Sequence, residues 1–295
     1  MKKILSYGSL NIDIVYSVPH FVAPGETIAA HSVKRYPGGK GLNQSVALAR
    51  AGAQVYHGGK LAADGMWLLE LLRGSGADTG LVSQNGSATG TAVIQVTPQG
   101  ENAIIIDHGA NFEITESEID RTLEGFGEGD LLVLQNEIND IGLIMQKAAA
   151  RGMRIALNPS PVDEALLGMD LGSVSYLILN EIEGRAFTGS GEPDEICRRL
   201  LAKYPGMRVV LTLGGDGSVY ADVAQSFRQP ACRVKAVDTT AAGDTFTGFF
   251  LASVVGGAAP DKALSLAAKA AAIAVTRMGA AASIPTLEEV KEPLI

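Results

Sequence analysis

From about Asp130 onward, short β-forming runs alternate with helical patterns, and this alternation restricts the possible fold more than any other feature of the chain. Leu131 to Leu134, Arg154 to Leu157, Tyr176 to Leu179 and Arg208 to Leu211 read as strands buried on both faces. Between them, Leu143 to Ala150, Glu181 to Phe187 and Glu195 to Lys203 show helical spacing with charge on one side. Strands separated by helical crossovers predict an α/β fold with a mostly parallel sheet flanked by helices. The first third departs from this rhythm. Ile28 to Tyr36, Thr91 to Val96 and Ala103 to Asp107 cluster β-formers, and Pro98-Gln99-Gly100 makes a turn between the last two. They predict a small antiparallel β lid, from about 11–36 and 91–108, over the end of the sheet where α/β ligands bind. No low-complexity linker, charged tail or internal repeat divides the chain, so one domain over 1–295 is expected.

Composition agrees and narrows the partners. A hydrophobic content of 46% supports a continuous core, and 35 glycines with only 5% aromatics suit closely packed parallel strands and helices. The formal net charge of −8 argues against a nucleic-acid partner, which calls for a basic face. Cys197 and Cys232 stand far apart, without metal-site spacing or the density of a disulfide scaffold, which fits a reducing, cytoplasmic location. The apolar runs Phe246 to Val255 and Ala270 to Val275 fall short of the roughly 20 residues that span a bilayer, so no membrane association is expected. The N-terminal apolar run stops too soon for a signal peptide and reads as a first buried strand. Asn43-Gln44-Ser45 and Asn85-Gly86-Ser87 match the glycosylation sequon by accident of composition.

Two segments carry chemistry. Val237 to Phe246 joins a strand to the apolar helix Phe246 to Val255 through Asp238-Thr239-Thr240-Ala241-Ala242-Gly243-Asp244. Small residues there leave backbone N–H groups facing outward at a helix N-terminus, where they and the helix dipole hold an anion. Asp244 falls in the first turn beside that cradle. It either complements the dipole or takes a proton from a hydroxyl attacking a bound phosphoryl group, and the local residues leave both readings open. The second segment is Tyr36-Pro37-Gly38-Gly39-Lys40-Gly41-Leu42-Asn43-Gln44, followed by a helical run to Ala51. Its glycines permit close backbone approach, Lys40 supplies a cation, and Asn43 offers a donor and an acceptor to a hydroxyl. It is not a Walker A loop, because no Ser or Thr follows Gly39-Lys40.

Together these segments resemble the paired signatures of the ribokinase-like, or PfkB-type, carbohydrate kinases. Gly38 to Gln44 with Ala47, Ala49, Ala51 and Gly52 is similar to the first, and Asp238 to Gly248 to the second. Supporting pieces span nearly the whole chain: Gly8 to Asp13, Pro24 to Thr27, Ala156 to Pro159, Asn180-Glu181-Ile182-Glu183, Thr212 to Gly217, and Ala271 to Gly279. The resemblance implies a ribokinase-like fold and ATP-dependent phosphorylation of a primary sugar hydroxyl, with D-ribose as the acceptor. It implies a sugar site of Asn11, Asp13, Gly39, Lys40, Asn43, Glu137 and Asp244, with Asp244 as the base and the N–H groups from Ala241 through Ala242 and Gly243 as the anion hole. ATP would lie along Thr212, Gly214, Gly215, Asp216 and Gly217, with Asn180 near its phosphates and Gly243 beneath them. Glu183 would serve Mg²⁺, and Asp238, Thr240, Ala274, Arg277, Gly279 and Ser283 mark a monovalent cation site for K⁺. Pairing of exposed lid edges would give a homodimer.

The likeness departs from the family pattern in three places. Ala268-Lys269 occupies the stretch where the family can carry a histidine near adenine, Leu61-Ala62-Ala63-Asp64-Gly65 lacks the first glycine of a Gly-x-Asp element, and Trp67 is unusually bulky beside it. Another pentose, a ketohexose or a nucleoside is therefore the alternative acceptor, and a non-catalytic sugar-binding protein is the alternative of another class. A nicotinamide-dependent dehydrogenase would need a dinucleotide loop, and Gly8-Ser9-Leu10 does not continue as one.

Overall fold

The computed structural model describes residues 2–293, so Met1, Leu294 and Ile295 of the expected domain lie outside the described residues. The main sheet comprises β1 (Ile4–Tyr7), β4 (Val55–Lys60), β5 (Asp78–Ser83), β8 (Leu131–Gln135), β9 (Arg154–Asn158), β10 (Tyr176–Asn180), β11 (Arg208–Thr212), β12 (Ser218–Ala221) and β13 (Ser226–Gln229). Their spatial order is β13-β12-β11-β10-β9-β8-β1-β4-β5. Every pair from β11 to β5 is parallel, whereas β12 and β13 add an antiparallel edge. The four strands expected from Asp130 to Leu211 are all present.

Their continuous apolar character follows from burial on two sides. Side chains alternate across a strand, so Ile4, Leu131, Val133 and Val210 enter one core while Leu5, Leu132, Leu134, Val209 and Leu211 enter the other. The first core packs against the helices Lys40–Arg50, Ala242–Val255 and Pro260–Val275, and the second against Ile141–Ala150 and Pro193–Lys203.

A second sheet contains β2 (Asn11–Ser17), β3 (Ser32–Gly38), β6 (Gly90–Val96) and β7 (Asn102–Asp107), in the order β3-β2-β6-β7. Two corrections apply here. The strand expected from Ile28 begins at Ser32, and the central pair β2–β6 is parallel, although both outer pairs are antiparallel. Both central strands follow parallel strands of the main sheet, β2 after β1 and β6 after β5, and so run the same way.

Candidate functional site

The polar residues of the site collect where the parallel strands end. Ser9 follows β1, Glu137 follows β8, and Asn158, Asn180 and Thr212 are the last residues of β9, β10 and β11. A parallel sheet aligns such ends along one edge, and backbone groups there lose their ladder partners, leaving room for a ligand.

Helix packing supplies the other wall. Gly248 lies against the helix Lys40–Arg50 so closely that a Cβ on it would fall 2.4 Å from the Ala47 Cβ and 2.8 Å from the Leu48 nitrogen. This approach brings the N-terminal turns of the two helices together. Asn43 Nδ2 donates to Asp244 Oδ2 at 3.0 Å, and Gln44 Nε2 donates to Asp244 Oδ1 at 3.0 Å. Gln44 Oε1 in turn accepts from Gln135 Nε2 at 2.7 Å. Asp244 is therefore a buried carboxylate with both oxygens held by amides.

Ala241 adopts a left-handed conformation with φ 58, turning the chain sharply into the helix Ala242–Val255. Among the described residues, the N–H groups of Ala241, Gly243 and Asp244 have no acceptor, whereas the Ala242 N–H bends back to the Thr239 carbonyl at 3.3 Å. Three unsatisfied donors at a helix N-terminus form a site for an anion, and Ala242 contributes less to it than its neighbours.

Two cavities adjoin at this turn. One, of about 230 Å³, is lined by Lys40, Asn158, Asn180, Glu183, Ala241 and Asp244, among others. The other, of about 370 Å³, has Thr212, Gly214, Gly215 and Gly217 on one side and Phe246, Ala268, Ala271, Ala272 and Val275 on the other. Thr212, Thr239, Ala242 and Gly243 line both. Asp216 lies on the same turn but outside the lining of either cavity. Gly217 has φ 106, and a Cβ there would fall 2.0 Å from the Gln229 carbonyl oxygen, so the turn between β11 and β12 requires glycine.

Lys40 faces three carboxylates. Burial pulls its ammonium pKa down, but Asp244, Glu137 and Glu183 outweigh that and leave it raised, so Lys40 remains a cation. The sugar residues expected from β2 lie beyond it. A Cβ on Gly38 would fall 2.1 Å from Asp13 Oδ1, so that carboxylate sits directly over the glycine. Burial, reinforced by the charge of Glu137, pushes the Asp13 carboxyl up to about 7. Glu137 is also raised by burial, against the opposing pull of Lys40. Its Oε2 accepts from the Lys40 N–H at 2.8 Å and from Ser9 Oγ at 2.5 Å. Gly39, with φ 93, allows the chain to turn into this contact. Asn11 Oδ1 accepts from Asn111 Nδ2 at 2.7 Å, and the Oδ1 of Asn43 is buried without a partner. Ser9, Gln44, Asn111 and Asn158 were not assigned to the site from sequence. Gln44 adjoins Asn43, and Asn158 directly follows the strand expected from Arg154 to Leu157, the two signals available for them.

Asn180 and Glu183 form a reciprocal helix cap. Asn180 Oδ1 accepts from the Glu183 N–H at 2.9 Å, and Glu183 Oε2 accepts from the Asn180 N–H at 2.9 Å. No cluster of three His, Cys, Asp or Glu able to hold a metal occurs among the described residues. One glutamate lining a cavity beside an anion site nevertheless suits Mg²⁺, which takes most of its ligands from phosphate and water. Asp238 accepts from the Thr240 and Gly279 N–H groups, both at 2.9 Å, while the Val237 and Asp238 N–H groups donate to the Val275 carbonyl. These bonds draw Asp238–Thr240 beside Ala274–Gly279. Arg277 turns its guanidinium away to Glu289 Oε1 at 2.6 Å, and Ser283 Oγ donates to the Ala280 carbonyl at 2.8 Å. The remaining donors are carbonyl and carboxylate oxygens, which fit a hard monovalent cation.

The profile described as "pfkB family carbohydrate kinase" matches residues 1–287. A ribokinase of Haemophilus influenzae is 36% identical over 304 residues, covering 99% of this chain and 98% of that protein. The crystal structure of a Thermotoga maritima ribokinase superposes with a TM-score of 0.86 at 34% identity, covering 99% of this chain and 98% of the other. An Arabidopsis thaliana ribokinase complexed with ribose and ATP superposes with a TM-score of 0.85 at 29% identity, covering 98% and 97%.

Proposed function

The chain belongs to the pfkB family of carbohydrate kinases, and from that premise we propose that it transfers the γ-phosphoryl group of ATP to the primary hydroxyl of D-ribose, giving ribose 5-phosphate and ADP. The observation that carries this reading is the meeting of two cavities at Thr212, Thr239, Ala242 and Gly243, with Asp244 next to Gly243 in the lining of the smaller one. A nucleotide in the larger cavity would point its phosphates at the free N–H groups of Ala241, Gly243 and Asp244, while a sugar beyond Lys40 would present a hydroxyl to Asp244.

Asp244 accepts the hydroxyl proton as that oxygen bonds to the γ-phosphorus and the bond to the β–γ bridging oxygen breaks. The N–H groups at the helix start hold the charge that develops on the equatorial oxygens, and Lys40 adds a cation beside them. Asn11, Asp13 and Glu137 bind the remaining sugar hydroxyls, a set of buried polar groups that penalises analogues lacking one. Glu183 would hold Mg²⁺ with the nucleotide phosphates, supplying charge neutralisation. The oxygens around Asp238 would hold K⁺ and steady the anion turn. Free Cys197 and Cys232 support a reducing, cytoplasmic setting for the reaction.

The second sheet would act as a lid, and its edge would join two copies. On β7, Ile104, Ile105 and Ile106 are all exposed, as is Val33 on β3, an apolar surface on strands with unpaired edges. Light scattering should give the mass of a dimer, and Ile105→Glu should give a monomer. The acceptor is tested by a coupled ADP-release assay over pentoses, ketohexoses and nucleosides, with and without potassium. Release that is strictly sugar-dependent and fastest with D-ribose is expected. A preference for any other acceptor, or ATP consumption that ignores added sugar, would overturn the assignment.

A further inference from the structure

The larger cavity contains a buried, unpartnered hydroxyl that the reaction above leaves unused. Ser218 opens β12, is 3% exposed, and its Oγ has no hydrogen-bond partner. Its cross-strand neighbours are Thr212 and Gln229, and both are committed elsewhere. Thr212 Oγ1 donates to the Leu179 carbonyl at 3.4 Å, and Gln229 Nε2 to the Pro230 carbonyl at 3.0 Å. Alternation along the strand puts Ser218 on the same face as Tyr220, whose ring lies 6.3 Å from that of Phe250 in the helix Ala242–Val255. Ser218 therefore points toward the helical layer that gives Phe246, Ala271 and Ala272 to the cavity wall. A buried hydroxyl left unsatisfied is destabilising, so a bound group that completes it gains accordingly.

We infer that the Ser218 hydroxyl anchors the nucleobase, as a polar contact for the base edge facing the apolar wall of Phe246, Ala271 and Ala272. The inference rests on the nucleotide reading of this cavity. The phosphate end is set by Gly243, which the two cavities share, and the alanine-rich wall accepts a flat ring. A hydroxyl both donates and accepts, matching the ring nitrogens and exocyclic groups of a purine. Ser218 is thus a specificity-determining residue for the nucleotide and not for the sugar.

The test is calorimetric titration of the wild type and Ser218→Ala with ADP and with inorganic tripolyphosphate, which has no base. Losing one neutral hydrogen bond should raise the ADP dissociation constant about 3- to 10-fold and leave that of tripolyphosphate unchanged. The free variant should melt no lower than the wild type, because it removes an unsatisfied group. Cys232 lines the same cavity and is partly exposed, whereas Cys197 is buried. Protection of Cys232 from alkylation by ADP therefore reports occupancy independently of Ser218. ADP affinity within twofold of wild type, with Cys232 still protected, overturns the inference. Equal losses for ADP and tripolyphosphate overturn it as well, by locating the effect at the phosphates. A wild type in which ADP leaves Cys232 unprotected removes the nucleotide reading itself, and the inference with it.

Discussion

Asn43 and Asp244 stand 201 positions apart in the chain and meet through a 3.0 Å hydrogen bond. With Gln44 on the other oxygen, the bond fixes the carboxylate while leaving it able to accept further protons or hydrogen bonds toward the cavity. The glycine-rich N-terminal segment therefore has two tasks in this geometry. It presents Lys40 to the cavity, and it aims the group proposed as the base.

Replacing Asp244 with Asn removes the proton acceptor but nearly preserves shape. Turnover should fall by roughly 10² to 10⁴, the range for a lost general base, while the dissociation constant for the sugar changes only severalfold. Steady-state kinetics with calorimetric sugar binding checks this, and near-wild-type turnover would exclude Asp244 as the base.

Gln44→Leu should act at a distance from the substrate. It strands the Gln135 amide donor in a buried site and frees one oxygen of Asp244. An unsatisfied buried group costs about 1–3 kcal/mol, so the urea midpoint should fall, and turnover should fall with little change in sugar KM. Unchanged stability and turnover would show that the amide chain from Gln135 does not support the carboxylate.

The strands from Leu131 to Leu211 were legible because burial on both faces forces continuous apolar runs. β4 and β5 were not. In β4, Gly58 and Gly59 interrupt the pattern, and Gly59 is there because a Cβ would fall 2.7 Å from the Gly8 carbonyl oxygen, a contact no local rule announces. In the site, Asp244 and Lys40 were visible as charges in glycine-rich turns. Ser9 and Gln135 were not, because a buried polar residue declares its purpose only through a partner, and theirs lie 128 and 91 residues away. The parallel β2–β6 pair was hidden for the same reason: its register depends on where β1 and β5 leave the other sheet.

Asp13 gives the proposed sugar site a pH dependence near neutrality. Burial and then Glu137 hold its carboxyl at about 7, against an ordinary value of 3.8. The ionised form accepts more strongly from sugar hydroxyls, so sugar KM should fall between pH 6 and 8. Asp13→Asn should flatten that profile while raising KM overall. A KM in the wild type that is flat over this range, or rises, would contradict the assignment.

The same carboxylate should oppose a buried histidine in the pH dependence of stability. His57 is fully buried on β4, bonded at 2.7 Å to Ser45 Oγ, and burial lowers its imidazole from 6.5 to about 3. As pH falls below 6.5, the unfolded chain binds a proton that the folded His57 refuses, so this contribution to stability is lost toward pH 3. Asp13 behaves in the reverse sense. Its folded value is raised, so the unfolded chain releases a proton that the folded state keeps, and stability is lost as pH rises from 3.8 through about 7. Between 3.8 and 6.5 the two slopes, each at most about 1.4 kcal/mol per pH unit, cancel. Separating them requires single variants measured against the wild type by urea unfolding at several pH values. Asp13→Asn leaves His57 unopposed and should lose stability on acidification, relative to the wild type. His57→Phe leaves Asp13 unopposed and should lose stability, relative to the wild type, as pH rises. Parallel profiles for all three proteins would mean that neither group titrates differently in the folded and unfolded chains.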